Sequence, residues 1–386
     1  MTEAIYRDDF AKIFNNEEEF LQFLKDRDNG AQWNRRLVSS LRFKSLDEMD
    51  EETEDIIEAY CEAGNSDILE DTMDNTQLVL EVYDETCPVR SCAIKTILDR
   101  AQISGNSLKK VKKSVFARIL NDCLDVGNGE ALIKFTEGKI SAVHGGDKSD
   151  YAVLDMAVLF EKTIEFLRKN FPGAEYKGAT FDHSLVTALW ELSGQDELVE
   201  TYRETLSKND IKATDIIPSV RLITSDVGVS GVNLYPQLMT SKGRIIPIGS
   251  PLKLEHKNGA VIADFEEHLE MLYSQYENAL KKLASLIEIR IANPVNTMLG
   301  VMKKIKITKK LAFEAVELFK YQCGTDPCTA HDIYYGIAEV IFMTQTADAS
   351  DEKPISGMKI FQTEENVMKA LNIRWKDYDI PGDVKW

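Results

Sequence analysis

The sequence predicts an α+β protein: a helical N-terminal region (1–100), a central region (101–258) on a mostly antiparallel sheet with one or two covering helices, and a helical C-terminal region (259–386). Three observations predict it. Apolar residues recur every three or four positions in the first and last parts of the chain. Short β-branched and aromatic runs, broken by glycine, crowd the middle. Those runs are grouped and do not alternate regularly with helices, which argues against a doubly wound parallel sheet. With 386 residues, 44% of them hydrophobic, the chain has the material for two or three domains with large cores.

The elements follow in order. In "NEEEFLQFLKDR", Phe20, Phe23 and Leu24 share one stripe of an amphipathic helix. "SLDEMDEETEDIIEAYCEAG" reads as a helix capped by Ser45, with Glu48 completing a capping box and Gly64 as the stop. Its first turns are acidic, where the helix dipole favours negative charge. "NSLKKVKKSVFARILNDCLDVGNG" sets Leu108, Val111, Val115, Ile119 and Leu120 at helical spacing. "ALIKFTEGKISAVHGG" reads as a hairpin around Glu137-Gly138. "YAVLDMAVLFEKTIEFLRKNF" returns to helix until Pro172, and "AEYKGATFDHSLVTALWEL" reads as two strands. "SVRLITSD", "GVNLYPQLM", "GRIIPIGS" and "LKLEH" continue the strands.

From Ala260 the chain is helical again. One long helix is expected over 264–291, with Phe265, Leu269, Leu272, Tyr276, Leu280, Leu283 and Ile287 on one stripe. Further helices are expected near Thr308 and Thr329, the second with Asp332 in a capping-box variant. "TADASDEKPISG" reads as a polar loop, followed by a short helix and an extended end.

Net charge is −18 and unevenly spread. Residues 1–100 hold 25 acidic and 11 basic side chains, a balance of −14, which leaves −4 for the rest. Between Asp47 and Val89 there are 16 acidic residues and no Lys or Arg, whereas 281–310 hold eight Lys/Arg against Glu288. A strongly acidic body is repelled by bulk nucleic acid and by anionic membranes, so phosphate binding would need a local basic face. No apolar run reaches the length of a membrane span. The start lacks a basic-then-apolar leader, so the six cysteines read as reduced thiols of a cytoplasm.

Chemistry-bearing patterns are few. "RLITSDVGVSG" (221–231) lacks the Gly-Lys-Ser/Thr of a phosphate loop and the third glycine of a dinucleotide fingerprint. It reads as a turn between strands without chemistry of its own. Cys87-x₄-Cys92 and Cys323-x₄-Cys328, with His331, have a spacing that zinc tolerates without requiring. His144, Asp147, Ser149 and Asp150, or Asp182, His183 and Ser184, supply the parts of a hydrolytic triad, which only geometry could assemble. The basic stretches carry the clearest signal. Lys109, Lys110, Lys112 and Lys113, and then Lys303, Lys304, Lys306, Lys309 and Lys310, suit a phosphate backbone.

From "LDRAQISGNSLKKVKK" through "VRLITSDVGVSGVNLYPQLMTSKGRI" to "LKLEHKNG" the chain resembles a phage/plasmid-like protein family of unknown function, found in phages, plasmids and prophages. Gly138, Ala142, Asp150 and Tyr151 fit its strand–turn–strand–Tyr order, Ser225-Asp226-Val227-Gly228 its acid-Val-Gly turn, and His256 its His-containing strand. Ser241-Lys242-Gly243 stands where that family has Cys-Asn-Gly. The resemblance covers roughly 98–290, implies a mobile-element origin, and transfers no catalytic residue.

The expectation is therefore a non-enzymatic cytoplasmic protein (of the host cell, if phage-encoded) that binds or anneals single-stranded DNA or RNA as a homo-oligomer through those nine lysines. It assigns no cofactor, metal, membrane contact or catalytic residue. Two alternatives stay open: a phage structural, assembly or protein-interaction component using the long helix as an interface, and a hydrolase or metal-dependent enzyme.

Overall fold

Glu137 and Gly138 both take positive φ, 48° and 77°. That is the turn geometry whose twist matches paired strands. It joins β6 (Glu130–Thr136) to β7 (Lys139–Gly145), the hairpin the sequence predicts. The computed structural model describes residues 4–48, 50–82, 85–147, 150–211, 216–346, 357–382 and 386. β2 (Gln32–Leu37) pairs with the other edge of β6, giving the order β2-β6-β7. A second small sheet runs β3 (Arg42–Ser45), β4 (Leu78–Val82) and β5 (Glu85–Pro88). Helices α4 (Ile94–Arg100) and α5 (Lys113–Asp125) close a core over these strands with Val38, Phe43, Leu80, Ile97, Leu120 and Ile133. α2 (Glu51–Glu62) and α3 (Ser66–Asp74) add a small cluster with Ile56, Leu69 and Val79.

The larger sheet holds β1 (Ala11–Phe14), β8 (Ala174–Asp182), β9 (Val186–Leu192), β10 (Ile216–Thr224), β11 (Val232–Thr240) and β12 (Ile245–Pro247) in that order. β13 (Leu252–Leu254) pairs further along β11. Every pairing between these strands is antiparallel. The α+β class, the grouped strands and the antiparallel central sheet are as the sequence predicts. Around the sheet lie α1 (Glu17–Gly30), α6 (Met156–Asn170), α7 (Asp196–Lys208), α8 (Ile262–Leu269) and α9 (Leu272–Ser285). The C-terminal region adds α10 (Pro294–Lys304), α11 (Lys309–Cys323), α12 (Ala330–Thr346) and α13 (Gly357–Lys369). Phe20, Phe160, Trp190, Leu222, Leu234 and Tyr334 mark the large core.

Packing divides the chain elsewhere than at 100 and 258. β1 and α1 belong to the large core with residues 154–375, while 38–143 form the second core. The chain leaves the large core after α1, builds the small one, and returns near Tyr151. The N-terminal region carries helices α1 to α4 and also strands β1 to β5 between them. Five short strands of few residues each leave little alternation to read.

Two local readings need correction. α2 starts at Glu51, because Asp50 accepts the amide hydrogen of Thr53 at 2.9 Å. Ser45 instead ends β3, and its hydroxyl donates to Asp47 at 2.7 Å. The helix expected over 264–291 bends at Glu270-Met271, since α8 packs on α6 and β13 while α9 packs on α7 and β11. Its whole stripe, Phe265 to Ile287, is buried in the large core, so that stripe is not a free interface. The box at Thr329 is complete: the Thr329 amide and hydroxyl donate to Asp332 at 2.9 and 2.8 Å, and the Asp332 amide donates back at 3.2 Å. Most of the polar loop 346–357 lies outside the described residues. Among the described residues, no helix is long and apolar enough to cross a membrane.

Candidate functional site

The nine lysines fall on two different cores. Lys110 and Lys112 are exposed and Lys113 is half-buried, at the start of α5 in the small core. The side chain of Lys109 lies outside the described residues. The acidic segment reaches this cluster: Asp47 accepts the amide hydrogens of Lys113 and Ser114, both at 3.1 Å. Lys303, Lys304, Lys306, Lys309 and Lys310 sit on the large core, where α10 gives way to α11. All five are exposed, while Ile305 and Ile307 between them are buried. Lys306 takes φ 64°, which reverses the chain so that lysines before and after it stay outside. Lys309 Nζ lies 5.8 Å from the centre of the exposed Phe313 ring, and Phe313 lies 6.0 Å from Trp386. Tyr321, two turns on from Phe313, is 91% exposed.

Several of the other sequence candidates are used structurally, while Cys323 is exposed. Cys87 belongs to the small core; Cys328 packs against the large one and its thiol points to the carbonyl of Thr329 at 3.6 Å. His331 Nε2 pairs with the Tyr202 hydroxyl at 2.6 Å. Among the described residues, no three His, Cys, Asp or Glu side chains gather to hold a metal ion. Asp182 accepts the amides of Ser184 and Leu185, which shapes the β8–β9 turn, and His183 Nε2 donates to the Arg7 carbonyl at 2.9 Å. Ser149 lies outside the described residues.

What the sequence conceals is the junction between the cores. Asp226, in the turn joining β10 to β11, is 7% exposed. It receives Arg27 NH1 at 3.0 Å and the ammonium of Lys134. Glu137 stands 3.4 Å from Arg27 and 3.6 Å from Arg90. Arg90 lies 3.8 Å from Asp8, and Lys139 binds both Asp8 and Asp71. Four cations and four carboxylates thus tie the N-terminal segment, α1, the β6–β7 hairpin and α3 to the large sheet. Burial, with Arg27 close by, pushes the Lys134 ammonium well below its ordinary value. Lys134 and Lys139 are the only Lys or Arg residues in the hairpin 130–145, which is the signal available beforehand.

Beside this network lies a cleft of about 500 Å³ between the two cores. α4 supplies Lys95 and Arg100 on one wall; the 228–231 turn and residues 253–257 form the other. Thr96 pins α4 to β7, donating to the Ala93 carbonyl and accepting the Val143 amide, both at 2.9 Å. Lys95 Nζ crosses the junction to the Gly228 carbonyl. The inner end is a stack of rings. Tyr151 lies 3.7 Å from His144, 7° from parallel, and 5.2 Å from His256, 4° from parallel. His256 Nδ1 donates to the Ala152 carbonyl at 3.1 Å, and the Ala152 amide donates back to the His256 carbonyl at 3.0 Å. His144 Nε2 donates to the Asp226 carbonyl at 2.9 Å, which leaves its Nδ1 as an acceptor. Burial pushes His144 down to about 3, with His256 adding to the effect, and lowers His256 as well, so both rings are neutral near pH 7. Asp150, Tyr151, Gly228 and His256 line this cleft together.

The turn 221–231 does connect two strands, yet it also walls the cleft. At Gly231 a methyl group would stand 2.6 Å from the Leu254 carbonyl oxygen. Backbone cannot retreat there, so Gly231→Ala is expected to lower unfolding free energy by about 1–3 kcal/mol in a denaturant titration. Gly30→Ala, with nothing within 4 Å of the added carbon, is the control expected to change little.

No protein-family model, curated protein or solved structure matches this chain.

Proposed function

We propose that this protein binds single-stranded nucleic acid through the α10–α11 junction, as a cytoplasmic, oligomeric component of a phage or plasmid. One observation carries the reading. Five lysines within eight residues are all exposed, alternate with buried isoleucines, and adjoin the exposed ring of Phe313. Ammonium groups track phosphates by releasing counterions, and an exposed ring offers a face on which a base can stack. The first lysine cluster lies on the other core, beside Asp47, and is not part of this surface.

Fluorescence polarisation with a labelled oligonucleotide tests the reading. Five phosphate contacts on a single strand give a log–log salt slope of about −3.5, so affinity falls roughly 100-fold from ~50 to ~200 mM salt. Changing all five lysines to glutamine is expected to remove binding, and Phe313→Ala to weaken it by about 1–3 kcal/mol. Absence of binding by the unaltered protein at ~50 mM salt overturns the proposal. Sedimentation of the same samples reads the oligomer.

A further inference from the structure

The junction cleft holds donors without acceptors. Arg100 Nε and the Tyr151 hydroxyl are both buried, both belong to cleft-lining residues, and neither has a hydrogen-bond partner among the described residues. Buried polar groups are nearly always paired, so two orphans on residues that line one cavity point to a partner that is not protein. Arg100 Nε can only donate and the Tyr151 hydroxyl can donate, so one acceptor group satisfies both.

Charge agrees. Lys95, Arg100, Lys253 and Lys257 line the cleft against Asp99, Asp150 and Glu255, a surplus of one positive charge. The carboxylates do not neutralise the cations evenly. Lys253 and Lys257 share Glu255, at 2.8 and 3.5 Å. Arg100 is only 4.0 Å from Asp150 at its NH1 end, where it also donates to the Glu130 carbonyl at 3.3 Å. Its Nε is left facing no protein acceptor. Lys95 meets a carbonyl rather than a carboxylate. His144 contributes the opposite function, an acceptor nitrogen on a neutral ring.

We infer that this cleft binds a small phosphate ester of nucleotide-monomer size. The phosphate oxygens are held by Arg100, Lys95 and the Tyr151 hydroxyl. A phosphate offers several acceptor oxygens to donors on the α4 wall and at the inner end of the cleft, and charge-assisted bonds of this kind are the strong ones. A cavity near 500 Å³ falls in the range of small-molecule sites, and a seam between two cores is a usual place for one. The inference does not depend on strand binding at α10–α11, which uses other residues on other elements.

The test is calorimetric titration of the full chain with adenosine 5′-monophosphate and thymidine 5′-monophosphate. The nucleosides without phosphate, inorganic phosphate and citrate are the comparators. A nucleoside monophosphate is expected to bind at least tenfold more tightly than its nucleoside and than citrate. Lys95→Met, on an exposed side chain, and Arg100→Gln are each expected to weaken it at least tenfold. Tyr151→Phe keeps the stacked ring and removes only the orphan hydroxyl. It is expected to weaken binding while leaving thermal stability unchanged or higher, a split that a purely structural tyrosine would not show. The five-lysine variant is expected to bind the monophosphate as the unaltered protein does. No heat with either monophosphate at millimolar concentration overturns the inference. Equal affinity for nucleoside and nucleotide, citrate binding as tight as the monophosphate, or undiminished binding by all three variants does the same.

Discussion

Asp226→Ala is expected to lower the unfolding free energy by about 3–5 kcal/mol, one of the two largest effects in this molecule. The carboxylate is the shared partner of Arg27 and Lys134, whose side chains are each 1% exposed. Removing it leaves two buried cations without their counter-ion. Lys134, already depressed by burial, can shed its proton. Arg27 cannot, because a guanidinium stays charged at any ordinary pH, and its remaining carboxylate is Glu137 at 3.4 Å. The loss is read from the urea midpoint. Asp9→Ala is the control: its pair with Arg7 at 3.1 Å is about half exposed, and solvent screening makes such pairs nearly neutral. Equal midpoints for the two variants would mean that the buried network contributes no more than a surface pair. Because the network joins the two cores, loss of Asp226 is also expected to separate their unfolding into two transitions.

Acid is the second large effect. Burial holds His144 near 3 and His331 near 4, and lowers His183 and His256 too. In the unfolded chain each imidazole takes up its proton around 6.5. Between the folded and unfolded values the unfolded state therefore binds more protons, so stability falls as pH drops below about 6.5. At pH 5, His144 and His331 together are expected to remove about 4 kcal/mol relative to pH 7. Asp28 works the other way. Burial, with Asp155 nearby, raises its carboxyl to about 6 even though it accepts the Ala157 amide. The folded state then holds the extra proton, which returns about 1 kcal/mol on acidification through that window. Denaturant titrations at pH 5 and 7 should show a net loss of about 3 kcal/mol or more; a flat profile would mean that these imidazoles are already accessible to water. Replacing Asp28 by asparagine should remove the opposing contribution and steepen the acid limb.

Legibility followed the range of the interaction. The Glu137-Gly138 hairpin, the Thr329–Asp332 box and the helical stripes depend on neighbours within a few residues, and they stand where the sequence places them. The start of α2 is not legible locally because Ser45 and Asp50 are equally good caps in isolation, and pairing of β3 with β4 decides between them. The lysines at 303–310 were legible as a group because alternation with isoleucine is local, and burial of Ile305 and Ile307 turns every ammonium outward. The cleft was not legible. Lys95, Arg100, His144, Tyr151, Gly228 and His256 are drawn from segments up to 161 positions apart, and nothing in their spacing marks them as neighbours.

By itself the sequence determined the class of fold, the runs that become strands and helices, and a basic ridge on an acidic chain. Periodicity, turn chemistry and charge are properties of short segments, and they act before the chain has closed. Only the tertiary structure decided which segments share a core, that a plain turn at 225–231 would bury Asp226 among arginine and lysine, and that the Tyr151 hydroxyl and Arg100 Nε would be left without acceptors among the described residues at the seam. Those outcomes depend on desolvation, which is set by everything packed around a group and so exists only once distant segments have met.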